Sequence, residues 1–160
     1  MAFTRSGEIR YGAAVYGSFL VASVVGVAYE ANEDIGTMAG SLLASMLIFW
    51  LAHTWSDVVG ERILAGNRFQ SRDVLVVARR EWPLVEAAVL PALLLALAWF
   101  GVWSREAGSV LALAAALLQI AGWGFVAGLR SGASRLNAAV LAAVEGILGV
   151  VLLALEKLVH

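Results

Sequence analysis

The sequence predicts an all-α protein: a polytopic membrane bundle of five transmembrane helices plus a short cytoplasmic amphipathic helix. Three observations lead there. First, 61% of the 160 residues are hydrophobic and 14% charged, whereas a soluble domain is about half apolar and about a quarter charged. Second, five stretches can cross a hydrocarbon core about 30 Å thick, which takes roughly 20 helical residues. Third, nine of the eleven basic residues fall on one side of those stretches. That asymmetry sets orientation, basic side inward.

The spans lie near 11–29, 36–57, 84–103, 109–128 and 138–157, within one integral domain, 1–160. The first precedes four others and lacks a small-residue cleavage site, so it reads as a retained helix rather than a signal peptide. The stretches "EANEDIG", 30–36, "SREAGS", 104–109, and "LRSGASRLN", 129–137, read as tight turns. The inner face carries Arg5, Arg10, Arg62, Arg68, Arg72, Arg79, Arg80, Arg130 and Arg135, and the outer face Arg105 and Lys157. The N-terminus is therefore expected in the cytoplasm and the C-terminus outside. Abundant Arg, Ala, Gly and Val with a single Lys fit a GC-rich bacterial genome, hence a bacterial inner membrane.

Residues 60–83 form the longest segment between spans. Ser71 is placed to cap a helix over 72–81, with Val74, Val77 and Ala78 on one face and Arg72, Arg79 and Arg80 opposite. Such a helix lies on the inner leaflet, with Arg62, Arg68, Arg72, Arg79 and Arg80 near anionic headgroups. The alternative is a solvated basic loop that only fixes topology.

Helices in lipid approach closely through small residues. Candidates are Ser18, Ala22 and Gly26 in span one, Gly36, Gly40 and Ala44 in span two, Gly124 and Gly128 in span four, and Ala138, Ala142 and Gly146 in span five. These serve packing within the chain or pairing between chains. Five helices enclose little interior, so a homodimer is expected.

Ionisable residues inside spans cost about 2.5–3.5 kcal/mol near a helix centre and mark function by default. His53, Asp57, Glu86 and Glu145 all fall in the cytoplasmic third, with Gln119 near mid-span. Met46, Trp50, His53, Asp57 and Glu61 share one helical stripe, and residues 48–63 are expected as one continuous helix running out of the membrane near Asp57. Pro91 is expected to kink span three. The functional reading is a proton or cation site open to the cytoplasm. His53 and Glu145 are candidate metal ligands, since imidazole and carboxylate suit several first-row ions. The structural alternative is that His53 and Asp57 bond at headgroup level and that Glu145 pairs with Arg130 or Arg135. Outside, Glu30, Glu33 and Asp34 either attract cations to an entrance or simply keep an acidic hairpin outward.

The chain has no cysteine and a net charge of −1. Thiolate metal sites, iron–sulfur clusters, disulfides and cysteine nucleophiles are excluded, and no field points to nucleic acid. No phosphate-binding loop, dinucleotide fingerprint or nucleophile elbow occurs. His160, the other histidine, ends the chain. No enzyme activity and no cofactor are expected. A small cation or proton-coupled transporter or channel is the leading function. The alternative is a non-catalytic membrane scaffold or accessory subunit that binds another membrane protein.

The stretch "AGWGFVAGLRSGASRLNAAVLAAVEGILGVVLLALEKLV", 121–159, resembles the vacuolar iron transporter family: a Gly-rich fourth helix, a short basic turn, then an Ala/Gly-rich fifth helix. The resemblance implies the five-span plan, with a tight outer hairpin after span one and an amphipathic cytoplasmic segment after span two. It does not imply iron. That family carries an acid in the inner part of its first helix, and span one here has none before Glu30. Its cytoplasmic segment is rich in glutamate, whereas this one is rich in arginine.

Overall fold

The computed structural model describes residues 11–66 and 70–159. Arg5, Arg10 and Arg68 of the basic face, and His160, lie outside the described residues. Among the described residues all regular structure is helical. The helices are α1 (Tyr11–Glu30), α2 (Ile35–Ala65), α3 (Ser71–Glu81), α4 (Pro83–Glu86), α5 (Val89–Trp99), α6 (Arg105–Arg130) and α7 (Arg135–Val159). Helices α1, α2, α6 and α7 are each long and apolar enough to cross a membrane. The remaining predicted span, the third, is broken: α3–α4 and α5 meet at a 46° bend. Proline explains the position of the break. Pro91 has no N–H to offer the Ala87 carbonyl, and its ring crowds that carbonyl. The helix accordingly fails at Ala87 and Ala88 and restarts at Val89.

Three turns close in the same way, the second of them at 100–104 and not at the expected 104–109, where α6 has already begun at Arg105. After α1, Asn32 N–H donates to the Tyr29 carbonyl and Glu33 N–H to the Ala28 carbonyl. Gly101 and Val102 repeat the pattern onto Ala98 and Leu97, and Gly132 and Ala133 onto Leu129 and Gly128. This double bond needs a left-handed residue just past the helix end. Asn32, Gly101 and Gly132 supply it, with φ of 56°, 79° and 84°. Two or three residues later a side chain caps the next helix. Asp34, Ser104 and Ser134 accept from the backbone N–H of Thr37, Ala107 and Asn137 at 3.0, 3.1 and 3.2 Å. Connections this short make the joined helices antiparallel neighbours.

Asp34 also accepts from the Thr37 hydroxyl. Hydrogen bonds from the Thr37 side chain, then its backbone, hold the Asp34 carboxyl below its usual 3.8. A depressed carboxyl stabilises the fold above its unfolded pKa, and that contribution is lost as pH falls through the folded value. Asp34→Asn is expected to keep the cap geometry but flatten stability against pH below about 4. Thermal midpoints of both proteins, measured from pH 6 to 3, check this.

Helix α1 is the centre of the bundle, packing on α2, α4, α6 and α7. The core joins Val21, Ala22 and Val25 of α1 to Met38, Leu42 and Met46 of α2, Leu84, Leu95 of α5, and Ala112, Ala116 and Ile120 of α6. The outward faces of α2 and α7 carry exposed Leu47, Ile48, Leu51, Ile147, Leu148 and Val151, a surface suited to lipid rather than water. Small residues set the closest approaches. A Cβ on Gly17 would stand 2.7 Å from the Leu84 carbonyl oxygen, and one on Gly128 2.9 Å from Ala138 Cα. In span two Gly36 is half-buried, but the rest of the expected stripe turns outward: Gly40 and Ala44 are exposed, and a Cβ on Gly40 would meet nothing within 4 Å. The larger Met38, Leu42 and Met46 take the inward positions of that helix.

Residues 48–63 lie within α2 and run on as one helix. Helix α3 begins at Ser71, one residue before the expected start, so Ser71 is its first residue and not its cap. Gln70 is the capping residue, and its backbone N–H donates to the Asp73 carboxylate at 2.7 Å. Val77 is buried and Ala78 half-buried, as their shared face requires, while Arg72 and Arg79 are exposed. Arg80 departs from the expected headgroup-facing row. At three residues past Val77 it falls on the inward side and meets α2.

Candidate functional site

Glu145 lies on the face of α7 that packs against α6. Its carboxyl group occupies the space above Gly124, where a Cβ would collide with Oε2 and the carboxyl carbon. Gly146 and Gly128 flank this contact, facing Ala121 and Ala138. Glycine at 124 thus gives a charged side chain room inside a helix seam. Glu145 Oε2 is buried and has no hydrogen-bond partner among the described residues. Arg130 and Arg135, its expected ion-pair partners, are exposed at the α6–α7 turn. Glu145 stands ten residues into α7, about 15 Å from Arg135 along the axis. Gln119 is half-buried on α6, and its Oε1 is likewise buried without a partner among the described residues. Two polar groups on the α6–α7 pair therefore carry unmet hydrogen-bonding capacity.

His53 faces the bundle, but elsewhere. Its ring packs on Tyr16 of α1, centroids 5.0 Å apart, and its Nδ1 lies 3.1 Å from the Phe49 carbonyl oxygen. Helices α2 and α7 share no extensive contact, with α1 packed on both. The expected constellation of His53, Asp57, Glu86 and Glu145 is thus divided. Glu86 ends α4 at the break and is exposed. Among the described residues no group of three His, Asp or Glu is placed to hold a metal ion.

Asp57 belongs to a charge network that sequence reasoning missed. Arg80 of α3 contacts Asp57 at 3.0 Å, Glu61 at 2.6 Å and Glu81 at 3.5 Å. Burial opposes the charge on Arg80, but the carboxylates of Glu61 and Asp57 outweigh it and raise its pKa. Beside this network Trp50 Nε1 donates to the Ala78 carbonyl at 2.9 Å, and its ring meets Trp82 edge-on at 5.3 Å. Helix α3 is therefore docked on α2. The available signal was the i, i+4 spacing of Asp57 and Glu61, which puts both carboxylates on one face for a single guanidinium.

At the opposite end of the bundle, Arg105 holds the α1–α2 hairpin. Its Nε donates to the Glu33 carbonyl at 2.7 Å and its Nη2 to the Tyr29 carbonyl at 3.4 Å. The guanidinium also sits 5.5 Å from the centre of the Tyr29 ring. Asp34 is occupied as a cap. Glu33 is half-buried and Glu30 is exposed. Glu30 lines a 300 Å³ cleft with Gly26, Tyr29, Leu113, Val150, Leu153, Ala154, Glu156 and Lys157. Glu156 was also missed in the sequence. A Cβ on Gly26 would stand 2.6 Å from its Oε2. The spacing gave the signal: Glu156 lies eleven residues after Glu145, three helical turns, and so shares its face.

No known family pattern, no curated protein and no solved structure matches this chain.

Proposed function

We propose that the chain is a five-span membrane protein, N-terminus in the cytoplasm, that moves a cation in a proton-coupled manner, with Glu145 as the proton-carrying group. The observation that carries this reading is the Glu145 carboxylate itself, seated over Gly124 between two long apolar helices, its Oε2 buried and unpartnered. A carboxyl held there without a basic neighbour has no evident structural task, and intramembrane ionisable groups persist where they work. A carboxyl can take a proton from one side and return it to the other. Gln119 offers a second polar group on the same helix pair.

The direct experiment is reconstitution in liposomes containing a pH-sensitive dye. A cation gradient should drive proton movement, and Glu145→Gln should reduce it to the rate of empty liposomes. Wild-type flux no greater than that of empty liposomes, or a fully active Gln variant, would sink the proposal. Orientation is tested separately. Tags at the two ends should be reached by protease from opposite sides of the membrane, and access to both from one side excludes five spans.

A second reading rests on the outward Gly40 and Ala44 of α2, which leave a small-residue face for another helix, from a second copy or from a different membrane protein. Disulfide crosslinking of Gly40→Cys in this cysteine-free chain, read in native membranes, distinguishes a homodimer from a stoichiometric partner.

A further inference from the structure

Helix α3 returns along the last turns of α2 and docks there through Trp50 and Arg80. Beyond those contacts a groove of 640 Å³ lies between the two helices. One wall is Trp55, Val58 and Arg62 of α2. Their spacing of three and four puts them on one face. The other wall is Ser71 and Val74 of α3, three apart, and Gly66 and Gln70 also line it.

The lining changes character along the groove. Trp55, Val58 and Val74 make one end apolar, and Arg62, Gly66, Gln70 and Ser71 make the other polar. With α2 across the membrane, this order matches depth. Trp55 is twenty residues past Ile35, about 30 Å of helix, the thickness of a hydrocarbon core. The Trp55 ring is exposed, and an indole at that depth sits at the membrane–water boundary. Arg62 is seven residues on, about 10 Å farther out, where a long side chain reaches headgroup level. The groove therefore runs from the acyl boundary to the phosphates.

Charge narrows the occupant. Among the described residues Arg62 is the one charged side chain that lines the groove, and it is exposed. The nearby acids are engaged elsewhere. Glu61 meets Arg80 at 2.6 Å, and Asp73 accepts the Gln70 N–H at 2.7 Å. A free phosphate would match only the polar end and leave Trp55, Val58 and Val74 unused. A zwitterionic lipid would bring an ammonium to a groove that no acid lines. An anionic phospholipid matches both ends, and the volume lies within the range of small-molecule sites.

We propose that the α2–α3 groove seats one anionic phospholipid, its phosphate on the Arg62 guanidinium and the Ser71 hydroxyl, its acyl chains leaving past Val58, Val74 and Trp55 into the bilayer. The proposal requires the membrane but not the transport reading. The seated lipid touches both helices, so it holds α3 to α2 beyond the reach of Arg80.

The test uses the full-length protein in a nonionic detergent, with bound lipid counted by native mass spectrometry. The probes are dioctanoyl phosphatidylglycerol, dioctanoyl phosphatidylcholine and glycerol 3-phosphate. Phosphatidylglycerol should bind more tightly than phosphatidylcholine, and glycerol 3-phosphate should not displace it. Arg62→Gln should weaken phosphatidylglycerol binding about fivefold, the scale of one arginine beside anionic lipid, and Arg62→Lys should restore most of it. Arg79→Gln is the control: Arg79 is an exposed arginine of α3 that does not line the groove, and its loss should leave binding unchanged. Equal losses in Arg62→Gln and Arg79→Gln mean a diffuse basic surface and overturn the proposal, as does equal affinity for the two lipids. Displacement by glycerol 3-phosphate identifies a soluble phosphate ligand and overturns it as well. Glu145→Gln separates this proposal from the transport reading, because it should abolish flux and leave lipid binding intact.

Discussion

Gly17→Val is expected to destabilise the bundle by about 3 kcal/mol or more, at the upper end of the overpacking range. Gly17 is where the central helix touches the broken span. A single Cβ there would stand 2.7 Å from the Leu84 carbonyl oxygen, 3.0 Å from Leu84 Cα and 3.1 Å from the Ala87 Cβ. Two of those three atoms are backbone, so no rotamer change relieves the overlap. The helices must separate, and Leu84 and Ala88, both fully buried, would lose contacts on either side. The β-branched valine adds two further methyl groups to a site with no room for one. Gly40→Val is the matched control, since a Cβ on Gly40 would meet nothing within 4 Å; its effect should stay below about 1 kcal/mol, the scale of helix propensity. Thermal unfolding in the same detergent, followed by far-ultraviolet circular dichroism, gives both values. Equal midpoints for the two variants would mean that α1 and α4 do not meet at Gly17.

The contrast between Gly17 and Gly40 also marks how far the sequence could be read. Spacing by four identifies small-residue stripes, but spacing alone does not say which way a stripe faces. In α2 the inward positions went to Met38, Leu42 and Met46, because their larger side chains fill the core beside α1. Gly17 was not in the stripe assigned to span one, although it adjoins Ser18. Its role depends on where the broken span meets α1, which is a long-range contact. Features set by local chemistry were legible: the helix ends before Asn32 and Gly132, the kink four residues before Pro91, and the continuous helix through His53; the end before Gly101 was placed too late, at 103.

Sites were less legible than elements for the same reason. Depth along a helix can be counted from its ends, and depth placed His53, Asp57, Glu86 and Glu145 together. Azimuth and neighbour order decide contact, and these separated them. His53 turned to Tyr16, Asp57 to Arg80 and Glu145 to Gly124, while Glu86 stayed exposed at the break. Glu156 was overlooked because its position near the end of an apolar run resembles an ordinary interfacial residue. Its significance comes from Gly26 on another helix.

Arg80→Ala is expected to undock α3 from α2 and to destabilise this end of the protein by about 2–3 kcal/mol, less than a fully buried ion pair because the site is partly hydrated. Arg80 is 30% exposed, with Asp57 at 32%, Glu61 at 34% and Glu81 at 4%. One guanidinium answers three carboxylates. Removing it takes away the positive charge that lies beside all three, and the nearly buried Glu81 has least access to water. The lost attraction weakens the same interface that Trp50 holds through the Ala78 carbonyl. Arg80→Lys should recover only part of the loss, since an ammonium cannot reach three carboxylates with the fork geometry of a guanidinium. Arg79→Ala is the control: Arg79 is exposed, and its loss should change stability by less than about 0.5 kcal/mol. Hydrogen exchange over residues 71–81 provides the specific readout. Protection there should fall at least tenfold in Arg80→Ala and stay unchanged in Arg79→Ala. Equal exchange in the two variants would mean that α3 is held by its apolar face and not by the Arg80 contacts.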